Sequence, residues 1–233
     1  MSKLEQGMAA RFTKIADNGW FPSEINSDHH HLRVVVEALN PGPGMKILDA
    51  GCARGRYLKA LLPSGAAVFG IDLTEVFVRD ARRNVPGVPL ALGSLVNLPY
   101  ADASFDAVYC IEVLEHIVEI PAAIREFARV LRPNGTLVIV SKSSIGLHPR
   151  TFIPSALWKR WHEVRGDWMY NAEFPFREGW FHPEEFREFL KTLFESAETI
   201  PLSEPGARTA PLVRLFPRLA FEAAWIARKP ISE

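Results

Sequence analysis

Between residues 45 and 140 the chain alternates short apolar runs with longer stretches in which apolar residues return every three or four positions. That alternation is the mark of repeated strand-helix-strand units. It predicts strands at 45–50, 67–71, 88–92, 105–111 and 136–141 in a mostly parallel sheet, the last opened by the turn pair Asn134-Gly135. The clearest helix spans 121–131, where Ile124, Phe127, Ala128 and Leu131 fall at i, i+3, i+4 and i+7 and Pro121 suits a first turn. The flanks differ. Residues 1–40 read as a helical cover with a loop at 19–27, and 183–194 as a helix followed by strands at 195–201 and 220–227. Between them, 143–181 carries Trp158, Trp161, Trp168, Tyr170, Phe174, Phe176, Trp180 and Phe181, an aromatic insert that reads equally as a lid over a pocket or as a satellite core.

Composition narrows the picture. With 48% hydrophobic residues, 233 residues suffice for one substantial core, so 1–233 is read as a single elaborated domain. Lys plus Arg equals Asp plus Glu at 27 each, so no overall field draws in nucleic acid or an acidic membrane. Cys52 and Cys110 are too few for a disulfide framework, and the start has no apolar run of signal-peptide kind. A reducing, cytoplasmic setting is expected. Charges or prolines interrupt every apolar run before the roughly 20 residues that a membrane helix needs, so no transmembrane segment is expected.

The first strand ends in Asp49, and Gly51-Cys52-Ala53-Arg54-Gly55 then leads into a helical pattern near Arg56. Two glycines four apart allow a sharp turn and a close approach of ligand to backbone. Asp49 would repel a pyrophosphate but suits a cationic amine, which favours the amino-acid end of S-adenosylmethionine over a dinucleotide. A generic strand-to-helix turn is the competing reading. Asp72 ends the next run, where a carboxylate can accept both ribose hydroxyls of an adenosine while capping the helix that begins near Thr74. Gly93-Ser94-Leu95 follows the third strand, and the loop at 97–106 is placed to flank an adenine.

In this order the segments resemble the class I methyltransferases, most of all the broad type 11 group, over about 46–140, with a weaker echo at Trp180-Phe181-His182-Pro183-Glu184-Glu185-Phe186. The resemblance implies a Rossmann-like three-layer α/β sandwich with a seven-stranded, mostly parallel sheet and an antiparallel last strand. It also implies S-adenosylmethionine as methyl donor. Asp49, Gly51 and Gly55 would surround the methionine moiety, Asp72 the ribose, and Ser94 and Leu95 the adenine; Cys52, Ala53, Leu73 and Cys110 complete the expected cofactor contacts. Two departures stand out. Ala53 replaces the usual middle glycine, with some loss of backbone freedom. Ser94 stands where an Asp commonly receives the adenine amino group, leaving a weaker, uncharged acceptor.

After the fourth strand, Cys110-Ile111-Glu112-Val113-Leu114-Glu115-His116 lies at the carboxyl edge of the sheet, where ligands of open α/β folds collect. Methyl transfer needs an acceptor in line with the methyl group and, for a neutral hydroxyl or amine, removal of a proton. His116 is the candidate base; a histidine merely satisfied at a helix start is the alternative. The segment also resembles the Glu-x-x-Glu-His stretch of ubiquinone-pathway O-methyltransferases, which implies a divalent cation on Glu112, Glu115 and His116. On a regular helix Glu115 and His116 diverge, however, and no metal site is assigned. His29-His30-His31 would spread around a helix and lacks the paired spacing of a zinc site, so it reads as a surface or cofactor-covering helix. No Pro-Cys pair accompanies Cys110, and the Asn-Pro-Pro-aromatic signature of base methylation is absent, so nucleic acid is not an expected partner. Lys142, His148 and Arg150 read as contacts to an anionic acceptor or as solvated loop charges.

These features converge on methyl transfer to oxygen or nitrogen of a small, partly apolar metabolite held between the sheet edge and the 143–181 insert. Three rivals stay open at this stage. Leu212, Val213, Leu215, Phe216, Leu219 and Phe221, interleaved with Arg214 and Arg218, suggest a lipid or quinone headgroup at a peripheral membrane contact, although Pro217 breaks that helix. Ala53 and Ser94 suggest a non-catalytic adenosyl-ligand sensor. An NAD-dependent oxidoreductase fits Asp72 but explains Asp49 and the Glu112–His116 segment less well. Oligomeric state is not legible.

Overall fold

The computed structural model describes residues 2–165, 176–204 and 206–231; Trp168, Tyr170 and Phe174 of the aromatic insert lie outside them. Two helices come first, α1 (Lys3–Ile15) and α2 (His30–Leu39). There follow β1 (Lys46–Ala50), α3 (Arg56–Leu61), β2 (Ala67–Asp72), α4 (Glu75–Asn84), β3 (Leu90–Leu92), β4 (Phe105–Ile111), α5 (Ile120–Val130) and β5 (Leu131–Lys142). The chain closes with α6 (Ser155–Arg165), α7 (Pro183–Leu190), β6 (Phe194–Leu202), α8 (Ala210–Leu215) and β7 (Glu222–Pro230).

Seven strands form one sheet in the order β3-β2-β1-β4-β5-β7-β6. The first five pair in parallel, and β7, last in the chain, is antiparallel to both β5 and β6. Alternate strand residues feed two apolar layers. Leu48, Val108 and Ile139 pack with Ile124 and Phe127 of α5, while Ile47, Tyr109 and Val138 pack with Leu32 and Val35 of α2 and Leu58 of α3. Both faces are covered, which is why the central strands read as near-continuous apolar runs. The result is the Rossmann-like α/β sandwich that the resemblance implied.

Boundaries move where local chemistry intervenes. Strand β3 starts at Leu90 rather than Val88, because Val88 closes a turn onto Val85 and Pro89 has no N–H to give a ladder. Helix α7 stops at Leu190 rather than 194: Thr192 and Leu193 donate in tight i→i+3 turns, and buried Phe194 opens β6. Strand β5 begins at Leu131, opposite Phe105, and its register with β4 shifts before Ala107.

The chain runs outward from β1 to β3, then returns to place β4 on the other side of β1. Strand order reverses there, and the loops leaving β1 and β4 open a crevice at their carboxyl ends. At the antiparallel end, Trp225 of β7 is fully buried, rests against Phe186 at 5.1 Å, and donates its indole N–H to the Pro183 carbonyl at 2.9 Å. Trp225→Ala removes that packing and is expected to destabilise the fold by about 3–5 kcal/mol, read from urea unfolding midpoints.

Candidate active site

The loop from β1 to α3 is folded back on β2. Gly51 and Cys52 both donate their N–H to the Ile71 carbonyl, at 2.8 and 3.0 Å. Gly51 has φ +92°, and a Cβ there would run into the Val113 side chain. Ala53 also takes a left-handed conformation, φ +44°, so the alanine adopts the geometry for which glycine is better suited, at a cost of about 1 kcal/mol. Its N–H donates to Asp72 Oδ2 at 2.9 Å, and the Thr74 N–H donates to Oδ1 at 2.8 Å.

This loop borders a cavity of about 730 Å³. Gly51, Cys52, Ala53, Asp72, Leu73, Ser94, Leu95 and His116 all line it. Three other expected contacts do not. Gly55 is the N-cap of α3, behind the loop. Cys110 is fully buried within β4, its side chain committed to the core beside α5. Asp49 is 2% exposed, directly beneath the loop. Burial pushes its carboxyl up to about 8, with Asp72 adding to the rise and the facing Tyr109 hydroxyl opposing it. Neither Asp49 Oδ2 nor the Tyr109 hydroxyl completes a hydrogen bond among the described residues.

The cavity's cover comes from the N-terminal segment, through Leu4, Glu5, Met8, Phe12, Trp20 and Phe21. The Phe12 ring meets His116 edge-on at 5.4 Å, and Phe21 packs on Phe77 of α4 at 4.7 Å. Ser94 donates its hydroxyl to Glu5, a residue the motif reading did not single out. The aromatic insert reads from its sequence equally as a lid or as a satellite core, and its residues 166–175 lie outside the described residues. Among the described residues of the insert, Trp158 stacks on His148, Trp161 is exposed, Phe181 joins Phe186 and Trp225 in the core, and Glu178 lines the cavity.

Residues Leu114–His116 form a single 3-10 turn, not a regular helix. Lys142 is no solvated charge: its ammonium is paired with both Glu112 and Glu115, and Ser141 donates its hydroxyl to Glu115 at 2.9 Å. Burial alone would raise the Glu115 carboxyl, but Lys142 and His116 outweigh it and leave it below the ordinary carboxylate range. At Glu112 burial wins over Lys142, and the group rises to about 8. Glu178, 4% exposed, reaches His116 Nδ1 at 3.6 Å. It is held there because the Gly179 N–H donates to the Glu115 carbonyl at 2.9 Å and the Phe181 N–H to the Lys142 carbonyl at 3.1 Å. No motif flags Glu178; only this cross-strand tether does. His148 and Arg150 border a second cavity instead, beyond α2.

The histidine triplet does not spread as a mid-helix run would. His29 is the N-cap of α2, and His30 and His31 in its first turn both point Nε2 at Glu222 Oε2, at 2.9 and 3.0 Å.

Comparison with known proteins agrees with this geometry. Residues 48–139 match the Methyltransf_11 family, a methyltransferase domain. The chain is 31% identical over 144 residues to a ubiquinone biosynthesis O-methyltransferase of Thiobacillus denitrificans, covering 58% of this chain and 62% of that protein. It is 33% identical over 128 residues to a demethylmenaquinone methyltransferase of Tropheryma whipplei, covering 54% and 52% respectively. The chain thus spans less than two thirds of these relatives. In fold it is similar to an S-adenosylmethionine-dependent methyltransferase from Mesorhizobium loti, with TM-score 0.63, 19% identity and coverage of 85% and 95% of the two chains. The methyl donor of the matched family is S-adenosylmethionine. Residues 48–139 thus match a type 11 methyltransferase domain, and the motif order and sheet topology around them agree with that match.

Proposed function

We propose that the chain is an S-adenosylmethionine-dependent methyltransferase, a single cytoplasmic domain that methylates oxygen or nitrogen of a small, partly apolar metabolite. One observation carries this reading. A single cavity joins the folded-back glycine loop, the Asp72 carboxylate and the His116–Glu178 pair, and its volume of about 730 Å³ lies in the upper part of the ~300–1,000 Å³ range of small-molecule sites.

The residues fit the donor. Gly51 lets the loop backbone pass against Val113, where a Cβ would collide, and Asp49 holds an unpartnered carboxylate oxygen below it, suited to an ammonium group. Asp72 spends one lone pair of each oxygen on backbone N–H groups and keeps acceptor capacity for ribose hydroxyls. Glu5, bonded to Ser94, restores an anionic acceptor beside the position where Ser94 departs from the family's Asp. When bound, the donor supplies an electrophilic methyl group on a sulfonium. His116 takes the acceptor's proton, and Glu178 stabilises the imidazolium so formed. Phe12, Phe21, Phe77 and Val113 give the acceptor an apolar surround that excludes water. A membrane headgroup is not favoured as acceptor. Leu215 and Phe216 are exposed, but their segment contributes nothing to the cavity wall, and among the described residues no helix is long and apolar enough to cross a membrane.

Titration calorimetry should show S-adenosylhomocysteine binding to the wild-type chain and a loss of about 10- to 100-fold in Asp72→Ala, the scale of a lost hydrogen bond to a charged group. Absence of binding, or equal affinity in the variant, removes the assignment. With labelled donor and a metabolite extract, His116→Asn should lower kcat by about 10²–10⁴-fold while S-adenosylhomocysteine affinity holds; unchanged turnover would relieve His116 of its role. Asp49 adds a pH signature. Its folded pKa of about 8 exceeds the ordinary 3.8, so the native state holds a proton that the unfolded chain has lost. Its contribution to stability is therefore full below about 4 and lost as pH rises through about 8. An ammonium bound opposite it reverses the shift, so donor binding at pH 7 should release protons, seen as a dependence of calorimetric heat on buffer ionisation enthalpy. Asp49→Asn should abolish the release. A wild-type heat independent of buffer would contradict the placement.

A further inference from the structure

We propose that His30, His31 and Glu222 form a binding site for one divalent transition-metal ion of zinc type, separate from the Glu112–His116 segment and independent of the methyl-transfer reading. The histidines approach from the first turn of α2 and the carboxylate from the first residue of β7, 191 positions after His31 in the chain. One ligand atom from each lies within 4.8 Å of the other two. Both Nε2 atoms already converge on the same carboxylate oxygen, at 2.9 and 3.0 Å. Zinc bonds of about 2.0–2.2 Å in a tetrahedron set ligand atoms about 3.3–3.5 Å apart, so the site needs to widen by a few tenths of an ångström.

The surroundings favour a cation at that point. Register pairs Glu222 with Lys142 on the neighbouring strand, but the Lys142 ammonium is engaged by Glu112 and Glu115. Four carboxylates, of Glu112, Glu115, Glu178 and Glu222, therefore share one lysine in a largely buried region, and Glu112 feels the charge of Glu222 directly. A dication between the imidazoles and Glu222 corrects the imbalance. His31 also has an outer partner of the kind that orients metal-bound imidazoles: its Nδ1 lies 3.3 Å from the hydroxyl of buried Tyr57. Three protein ligands leave one position of a tetrahedron open. Beside it lies the second cavity, about 340 Å³ and bordered by His148, Arg150 and Thr209, so water or a small anion can complete the shell. Because His31 lines the main cavity as well, the ion would sit in the partition between the two.

The test is titration of the chelator-treated, full-length chain with Zn²⁺ by calorimetry and with Co²⁺ by visible absorption. One ion per chain is expected, with the intense bands of four-coordinate Co²⁺. Affinity should fall at least tenfold in His30→Ala and in Glu222→Gln and hold in His116→Asn and Glu115→Gln. In the wild-type chain, Zn²⁺ should shield His30 and His31 from an acylating histidine reagent, mapped by peptide mass spectrometry, a readout that needs no variant to fold. Binding that survives both His30→Ala and Glu222→Gln, binding lost in Glu115→Gln, or equal labelling of His30 and His31 with and without Zn²⁺ would each overturn the proposal.

Discussion

Asp72 holds the loop from β1 and the start of α4 in one place. Its two oxygens accept the N–H groups of Ala53 and Thr74. These bonds fix a left-handed alanine that would otherwise relax, and they leave the carboxylate facing the cavity. The cost is visible in the group's own chemistry: burial raises its pKa in spite of those backbone donors. An ionised carboxylate there is best stabilised when further donors reach it, and vicinal hydroxyls are such donors. Loop shape and the opening of the cavity thus depend on one side chain, the one proposed to hold the ribose.

The cover over this site is built mainly from α1, whose fully buried residue is Met8. Much of what holds α1 down is therefore the cavity wall itself: Glu5 on Ser94 and Phe12 on His116. Glu5 serves twice, since its other oxygen accepts the Ser2 N–H in the capping box that starts the helix. A ligand that engages Glu5 is thereby coupled to the start of the helix that covers it. The opposite end of the cavity is more rigid, because Glu178, Lys142 and Glu115 are tied to β5 through backbone and side-chain bonds.

What could be read from the sequence was local. Strands buried on both faces print themselves as apolar runs, and the loop motif between Asp49 and Gly55 needs five residues in a fixed order. Ser94 and Asp72 were locatable because each lies at the carboxyl end of a strand. What could not be read depends on pairing between distant segments. Glu178 reaches His116 because residues 179–181 hydrogen-bond to the backbone of Glu115 and Lys142, and it carries no motif of its own. His30 and His31 meet Glu222 through the register of β7 against β5, which no spacing within the histidine triplet reveals. Aromatic density in the insert reads equally as a pocket wall or a satellite core, whereas rings that line the cavity, among them Phe12, Trp20, Phe21, Tyr57 and Phe77, are scattered through segments that no aromatic cluster marks. Cys110 belongs to the expected strand, but strand alternation turns its side chain into the core.

The central claim is that one cavity holds the donor's adenosine on Asp72 and its sulfur toward His116. A crystal structure of the chain with S-adenosylhomocysteine measures this directly. Both ribose hydroxyls should lie within hydrogen-bond reach of the Asp72 carboxylate, with the amine above Asp49 and the sulfur on the His116 side of the cavity. A ligand lodged in the second cavity, or one whose ribose leaves Asp72 bonded to Ala53 and Thr74 alone, would contradict it.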